Sequence, residues 1–277
     1  MSFLNARQLG FCSWSVRPQS VEDLIEAAKQ IGLSRVQLAL VPLIAAPSAW
    51  ADCFAKLRDA GIHIVNGMVG CVGEDFSTIA AIRRTCGVVP DETWPQSRER
   101  MKLAAPIAAA AGIGTITLHM GFIPANTSNL IYQKIIDRVR IAADLFAEHG
   151  IAIAMETGQE PAVTLLTFIH DLGRDSVRIN FDPANMLLYG SGDPIEALKL
   201  FAPRVGSVHI KDANRAAIAG EWGKEVPIGA GQVDWQAFFA ILREANFSGP
   251  LTIEREAGIQ RVADIRSAKE FVGTLLG

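Results

Sequence analysis

Residues 150–156, GIAIAME, and residues 177–182, VRINFD, flank the stretch PAVTLLTFIHDL at 161–172, and the reading of these three runs decides the fold. The outer two alternate with period two, while the middle one has helical period, begins on Pro161 and stops before Gly173, so the order is strand, helix, strand. Within the strands, Ile153 and Met155, and then Ile179 and Phe181, fall on one side. Ala152, Ala154 and Glu156, and then Asn180 and Asp182, fall on the other.

Outward from this unit the same alternation continues in both directions. Strands are expected near 9–13, 35–40, 62–68, 114–119, 151–156, 177–182, 205–210 and 250–254. Helices are expected near 20–31, 48–60, 96–111, 129–149, 161–172, 193–201, 234–245 and 261–275, with Ser20, Ser48, Pro161, Pro194 and Asp234 as start signals. Gly32, Gly61, Gly112, Gly150 and Gly173 act as stops. Eight βα units in 277 residues, with no linker-like segment between them, predict an α/β protein with one domain spanning 1–277, a single (β/α)8 TIM barrel. An open doubly wound sheet would carry a glycine-rich phosphate fingerprint after the first strand, and none follows it.

Side-chain parity supports closure, because barrel strands alternate between the interior and the helix layer. The large, branched set continues as Ile116 and Leu118, Val208 and Ile210, and Leu251 and Ile253. The opposite parity holds Thr115, Thr117 and His119, then Ser207 and His209, then Thr252 and Glu254. A narrow axis lined by small and polar residues follows, with an ionisable residue at the end of each later strand.

Composition narrows the function classes. A chain that is 49% hydrophobic and 20% charged is neither disordered nor fibrous. A net charge of −3 gives no electrostatic footprint for nucleic acid or an anionic membrane. Cys12, Cys53, Cys71 and Cys86 have neither metal-knuckle nor redox spacing and read as reduced thiols. With no apolar run of membrane length and no secretory pattern in MSFLNARQLGFCSW, the expectation is a cytoplasmic protein.

The ionisable strand ends carry the functional signal, since barrel enzymes place their chemistry at the C-terminal ends of the strands. Glu156, Asp182, His209 and Glu254 end the fifth to eighth strands and would form one contiguous arc. Taken singly, a strand-end carboxylate is usually a helix cap or an ion-pair partner. Three carboxylates and an imidazole converging on one point repel unless a divalent cation sits among them. Such an oxygen-rich set with one histidine suits Mn²⁺, Mg²⁺ or Co²⁺, with Zn²⁺ also admissible. His119 belongs to the same rim.

The segments AMETG (154–158), RINFDPANM (178–186), VHIKDANR (208–215) and LTIERE (251–256), in this order on four successive strands, resemble the xylose-isomerase-like barrel superfamily of sugar isomerases and epimerases. The resemblance covers nearly the whole chain and is specific in its second half. It implies a metal set of the tagatose- and psicose-type 3-epimerases on Glu156, Asp182, His209 and Glu254, with Glu156 and Glu254 also the acid/base pair. It further implies that Arg215, six residues after the metal histidine, touches substrate. Where that pattern carries a histidine three residues after the metal aspartate, this chain has Asn185, a second expected substrate contact.

A cation chelating a carbonyl oxygen and an adjacent hydroxyl acidifies the C–H between them and stabilises an enediolate. Glu156 and Glu254, on the two flanks of the arc, could then move the proton, so the expected function is that of a sugar or sugar-phosphate epimerase or aldose–ketose isomerase acting on a small sugar or polyol. Lys211 would neutralise the enediolate or a phosphate, or else pair with Asp212 on the rim. The long segments after the third and seventh strands would form a lid, with Glu74, Trp14, Trp94 and Trp222 as walls. Gly229 and Gly231 in PIGAGQVDW permit a tight turn, a weak signal for a phosphate cradle. The alternative is an inosose dehydratase-like lyase using the same metal. An endonuclease IV-like repair nuclease is a further alternative, but its multi-zinc, histidine-rich centre and basic groove are not matched here. A barrel that only binds a sugar is the non-enzymatic reading. The residues leave oligomeric state open, and a homo-oligomer is expected only because many barrels of this kind associate.

Overall fold

A computed structural model of the chain describes residues 4–218 and 220–276. Eight parallel strands close into a barrel: β1 Leu9–Cys12, β2 Arg35–Ala39, β3 His63–Met68, β4 Thr115–Leu118, β5 Ala152–Glu156, β6 Val177–Phe181, β7 Val205–Ile210 and β8 Leu251–Ile253. Each strand pairs with its sequence neighbours, and β8 pairs with β1 to close the ring. The connecting helices are α1 Val21–Ile31, α2 Cys53–Asp59, α3 Trp94–Ala110, α4 Leu130–Ala147, α5 Ala162–Leu172, α6 Pro194–Phe201, α7 Trp235–Glu244 and α8 Arg261–Leu276.

Local chemistry accounts for these elements. In α1, Val21, Leu24, Ala28 and Ile31 are buried on one face, the Ser20 side chain accepts from the Asp23 N–H, and Gly32 ends the helix in the left-handed region at φ 73°. Asp193 and Asp234 cap α6 and α7 in the same way. The expected helix over 48–60 is shorter, because Val41–Ala45 forms its own turn of helix and α2 begins only at Cys53; Ser48 lies in the turns between them and caps nothing. Two further helices lie in the connections: Ile79–Thr85 after β3, and Pro183–Tyr189 directly after β6.

Parity holds as expected. Ile116, Leu118, Ile153, Met155, Ile179, Phe181, Val208, Ile210, Leu251 and Ile253 are buried between strands and helices. Thr117, Asn180, Ser207 and Thr252 are buried on the other parity, joined by Gln37 from β2. They pair with one another: Gln37 Nε2 donates to Thr117 Oγ1 at 2.6 Å, Thr252 Oγ1 donates to Gln37 Oε1 at 3.0 Å, and Ser207 Oγ donates to Asn180 Oδ1 at 2.5 Å, while Asn180 Nδ2 is buried without a partner. These hydrogen bonds offset much of the cost of burying polar groups on the axis, and those of Gln37 tie β2, β4 and β8 together beneath the strand ends. Strand register shifts at Val36/Gln37 and at Ile179/Asn180, irregularities that re-aim the following side chains.

Candidate active site

Glu156 is the last residue of β5, Asp182 and Glu254 stand one residue beyond β6 and β8, and His209 is the penultimate residue of β7. Because β5 to β8 are neighbours in the ring, the four side chains meet, with one ligand atom from each lying within 4.8 Å of all the others. His209 Nδ1 is 3.2 Å from Glu156 Oε1, 3.5 Å from Glu254 Oε2 and 3.9 Å from Asp182 Oδ2. All four residues are buried, and His209 and Asp182 have no exposed surface.

Asp182 joins the two roles open to a strand-end carboxylate. Its Oδ1 accepts from the Asn185 N–H at 3.0 Å and caps the helix Pro183–Tyr189. Its Oδ2 is buried with no hydrogen-bond partner and faces the cluster, 3.7 Å from Lys211 Nζ. Thr157 Oγ1, accepting from the Asp182 N–H at 2.9 Å, fixes the backbone at this corner. The turn after β5 approaches the same helix so closely that a Cβ on Gly158, at φ 142°, would sit 2.4 Å from Asn185 Cβ.

Around the cluster, Asn185 Nδ2 donates to Glu156 Oε1 at 3.0 Å, and His119 Nε2 lies 3.4 Å from Glu156 Oε2. Trp14 Nε1 donates to Glu254 Oε1 at 2.7 Å, and Lys211 Nζ donates to Glu254 Oε2 at 2.9 Å. Lys211 also reaches Glu256 Oε2 at 2.6 Å. It makes no pair with Asp212, whose carboxylate is turned toward the loop after β7.

Electrostatics follow from this crowding. Burial pushes Glu156 upward, but the imidazoles of His119 and His209 outweigh it and hold the carboxyl below its ordinary value. Glu254 is likewise held well below the carboxylate range against burial by Lys211 and His209. Asp182, pushed up by burial and by Glu254 and Glu156 against the pull of Lys211, lies well above that range. His209 and Lys211 are lifted well above their ordinary values by the carboxylates despite burial. Cys12 Sγ also lies near His209 and Glu254, but burial pushes its thiol up to about 12.

Above the cluster a cavity of about 610 Å³ opens at the C-terminal end of the barrel. Trp14, Phe76, Tyr189 and Trp222 form its apolar walls, with Glu74 and His119 between them. Phe76 and Glu74 come from the segment after β3, and Trp222 from the segment after β7, where a two-stranded ribbon, 212–214 with 224–226, stiffens the loop. Glu74 Oε1 accepts from the Gly87 N–H at 2.9 Å.

Arg215 is not brought to this site. Its exposed guanidinium donates to the Gly192 carbonyl at 2.5 Å, outside the cavity, because the ribbon carries residue 215 beyond the rim. Trp94 also lies elsewhere, packed under Arg138 at 5.2 Å. Four residues absent from the sequence reading do belong here: Gln37, Phe76, Tyr189 and Glu256. Gln37 stands at inward parity on β2, so carrying the parity argument to the early strands would have found it. Glu256 lies two residues beyond Glu254 and shares its side.

The fold has known counterparts. The sequence pattern of the xylose isomerase-like TIM barrel family matches residues 25–274. The L-ribulose-5-phosphate 3-epimerase UlaE of Salmonella paratyphi C is 24% identical over 200 residues, which are 67% of this chain and 66% of that protein, so the chain spans just under two thirds of its length. The crystal structure of a xylose isomerase domain protein from Planctomyces limnophilus is 35% identical, with a TM-score of 0.84 over 97% of this chain and 96% of the other. A xylose isomerase-like TIM barrel protein from Mycobacterium smegmatis, solved in complex with magnesium, shares the fold at 17% identity, with a TM-score of 0.71 over 92% of this chain and 87% of that one. This chain belongs to the xylose isomerase-like TIM barrel family.

Proposed function

We propose that the chain is a divalent-metal-dependent isomerase or epimerase of a sugar or related polyhydroxy carbonyl compound, with Glu156 and Glu254 as its proton-transferring pair. The observation that carries this reading is the meeting of Glu156, Asp182, His209 and Glu254 within 4.8 Å, with a buried Asp182 oxygen left without a hydrogen-bond partner. These donors fit a cation. Three carboxylates and one imidazole nitrogen suit Mn²⁺, Mg²⁺ or Co²⁺, and the upward shifts of Asp182 and His209 mean that, beside Lys211, the cluster draws in protons that a cation would replace. When bound there, the cation supplies Lewis acidity to a carbonyl oxygen and its neighbouring hydroxyl, acidifying the C–H bond between them.

The chain's own residues do the rest. Glu156 is oriented through Oε1 by Asn185, and its Oε2, beside His119, is the oxygen that takes or returns a proton. Glu254, across the arc, is held by Trp14 and Lys211 on its two oxygens, which fixes its plane. Carboxylates of low basicity are adequate for a C–H already acidified. Lys211 balances the negative charge that develops on the substrate oxygens, and the aromatic walls exclude water and stack against the C–H faces of a sugar. The epimerase name of UlaE is in keeping with this chemistry.

The test combines metal analysis of the purified protein with deuterium wash-in from D₂O across ketoses, aldoses and inososes. The expected result is about one divalent ion per chain and exchange at a single carbon next to a carbonyl. Release of water with an unsaturated or dicarbonyl product would instead identify a dehydratase. A metal-loaded protein inert to every compound would leave a sugar-binding barrel.

A further inference from the structure

In βα barrels a substrate phosphate is typically received by backbone N–H groups of the loops after the seventh and eighth strands. Both of those loops are present here, and each is already filled by a carboxylate of the chain. After β7, Asp212 Oδ2 accepts from the N–H groups of Gly229 at 2.9 Å and Gly231 at 3.1 Å and from Trp235 Nε1 at 3.1 Å. Its Oδ1 accepts from Ala213 and Val233. The fit is so close that a Cβ on Gly231 would lie 2.0 Å from Asp212 Oδ1. After β8, Glu225 accepts from the N–H groups of Glu256 and Ala257, both at 3.0 Å.

Charge within the cavity points the same way. Five glutamates line it, at 74, 156, 225, 254 and 256, against Lys211, Lys224 and Arg255. The three donors of Lys211 face Glu254, Glu256 and Asn185. Arg255 lies between Glu225 at 2.7 Å and Asp264 at 2.8 Å. Lys224 is exposed on the ribbon. A dianion entering here would meet carboxylates whose cationic partners are already engaged, and it would face aromatic walls that favour an uncharged ring or chain.

We infer that this site takes an uncharged polyhydroxy carbonyl compound and turns away its phosphate ester, an inference that rests on the isomerase reading above. The competing anion site is an adjoining surface cleft beyond Gly258, where Arg17, Arg261 and Arg266 gather.

The experiment uses the full chain loaded with Mn²⁺ and follows solvent deuterium exchange by NMR, pairing each ketopentose, ketohexose and inosose with its own phosphate ester. The expected result is a kcat/KM for the free compound at least about tenfold above that for the ester. A smaller ratio, or a preference for the ester, overturns the inference; loss of that preference in Arg17→Ala or Arg261→Ala would place the phosphate in the adjoining cleft. If no pair exchanges, the isomerase reading falls, and the charge argument is decided separately by titrating inorganic phosphate against the fluorescence of Trp14 and Trp222. No saturable change up to about 10 mM, or one lost in Arg17→Ala and Arg261→Ala, supports it, and a saturable change that persists in both variants places phosphate in the cavity and overturns it.

Discussion

Gln37 Oε1 lies 2.8 Å from His209 Nε2, at the floor of the barrel mouth, and this contact sets which nitrogen of the imidazole faces the carboxylates. The amide's Nε2 donates to Thr117 Oγ1, while Thr252 Oγ1 donates to the same Oε1 that faces His209. In this orientation Nε2 is the donor to Gln37 and Nδ1 is the nitrogen turned toward Glu156, Asp182 and Glu254, where the carboxylates favour a second proton that a bound cation would displace. On the metal-dependent reading proposed above, Gln37 is a positioning residue that orients His209.

Replacement Gln37→Leu keeps the volume and removes the acceptor. Divalent-ion affinity, measured by calorimetry with Mn²⁺, should fall by about 10- to 100-fold, the usual effect of losing such a partner. Gln37→Glu, which restores an acceptor, should recover most of it. Unchanged affinity in Gln37→Leu would show that His209 needs no such orientation.

Asp182→Asn combined with His209→Ala removes one anionic and one imidazole donor from four that meet at a point. Metal content after dialysis should drop below about a tenth of the wild-type value. Full retention would mean that the ion sits elsewhere.

Much of this centre was legible before any coordinates because parity in a strand is a rigid rule: once Ile153 and Met155 face the helices, Glu156 must face the axis. The strand ends came out within one residue of expectation for β5 to β8. What the pattern could not convey was the path of the chain after each strand. The family resemblance implies a substrate contact for Arg215, yet the ribbon at 212–214 turns it onto Gly192. A rim pair with Asp212 was one of two readings open to Lys211, but the Ala213 N–H and four N–H donors from the loop at 227–235 capture that carboxylate instead. These contacts join residues whose meeting depends on loop closure, on which local periodicity is silent.

Glu160, in the turn between β5 and α5, supplies a pH test. Its carboxyl is buried, Oε2 has no hydrogen-bond partner, and burial pushes it up to about 8 from an ordinary 4.5. With the folded value above the unfolded one, the native state holds the extra proton between these limits. The stability this confers is complete below about 4.5 and is lost as pH rises through about 8. Its slope is about 1.4 kcal/mol per pH unit from this one group. Glu160→Gln should therefore unfold at the same denaturant concentration as wild type near pH 4.5 and at a higher one at pH 9. Parallel pH profiles for the two proteins would show that Glu160 ionises normally.

The final prediction concerns the proposed acid/base pair. Glu156 and Glu254 stand at the two ends of an arc whose middle is Asp182 and His209, so a substrate carbon held over that middle presents one face to each glutamate. Both are kept ionised below the usual carboxylate range, Glu156 by His119 and His209 and Glu254 by Lys211 and His209, so each is ready to accept a proton at neutral pH. Glu156→Gln and Glu254→Gln preserve shape and the capacity to ligate through one oxygen, but neither can take up a proton. Each should lower turnover by more than about a hundredfold while retaining measurable metal binding. Inversion by two bases further requires that solvent deuterium enter the inverted carbon in every turnover. It also requires that one of the two variants, run in D₂O, still wash deuterium into one epimer without converting it, because the remaining glutamate can remove and return a proton on its own face. Near-normal turnover in both variants would reduce these residues to ligands, whereas complete loss of exchange in both would point to a single proton path running through the pair.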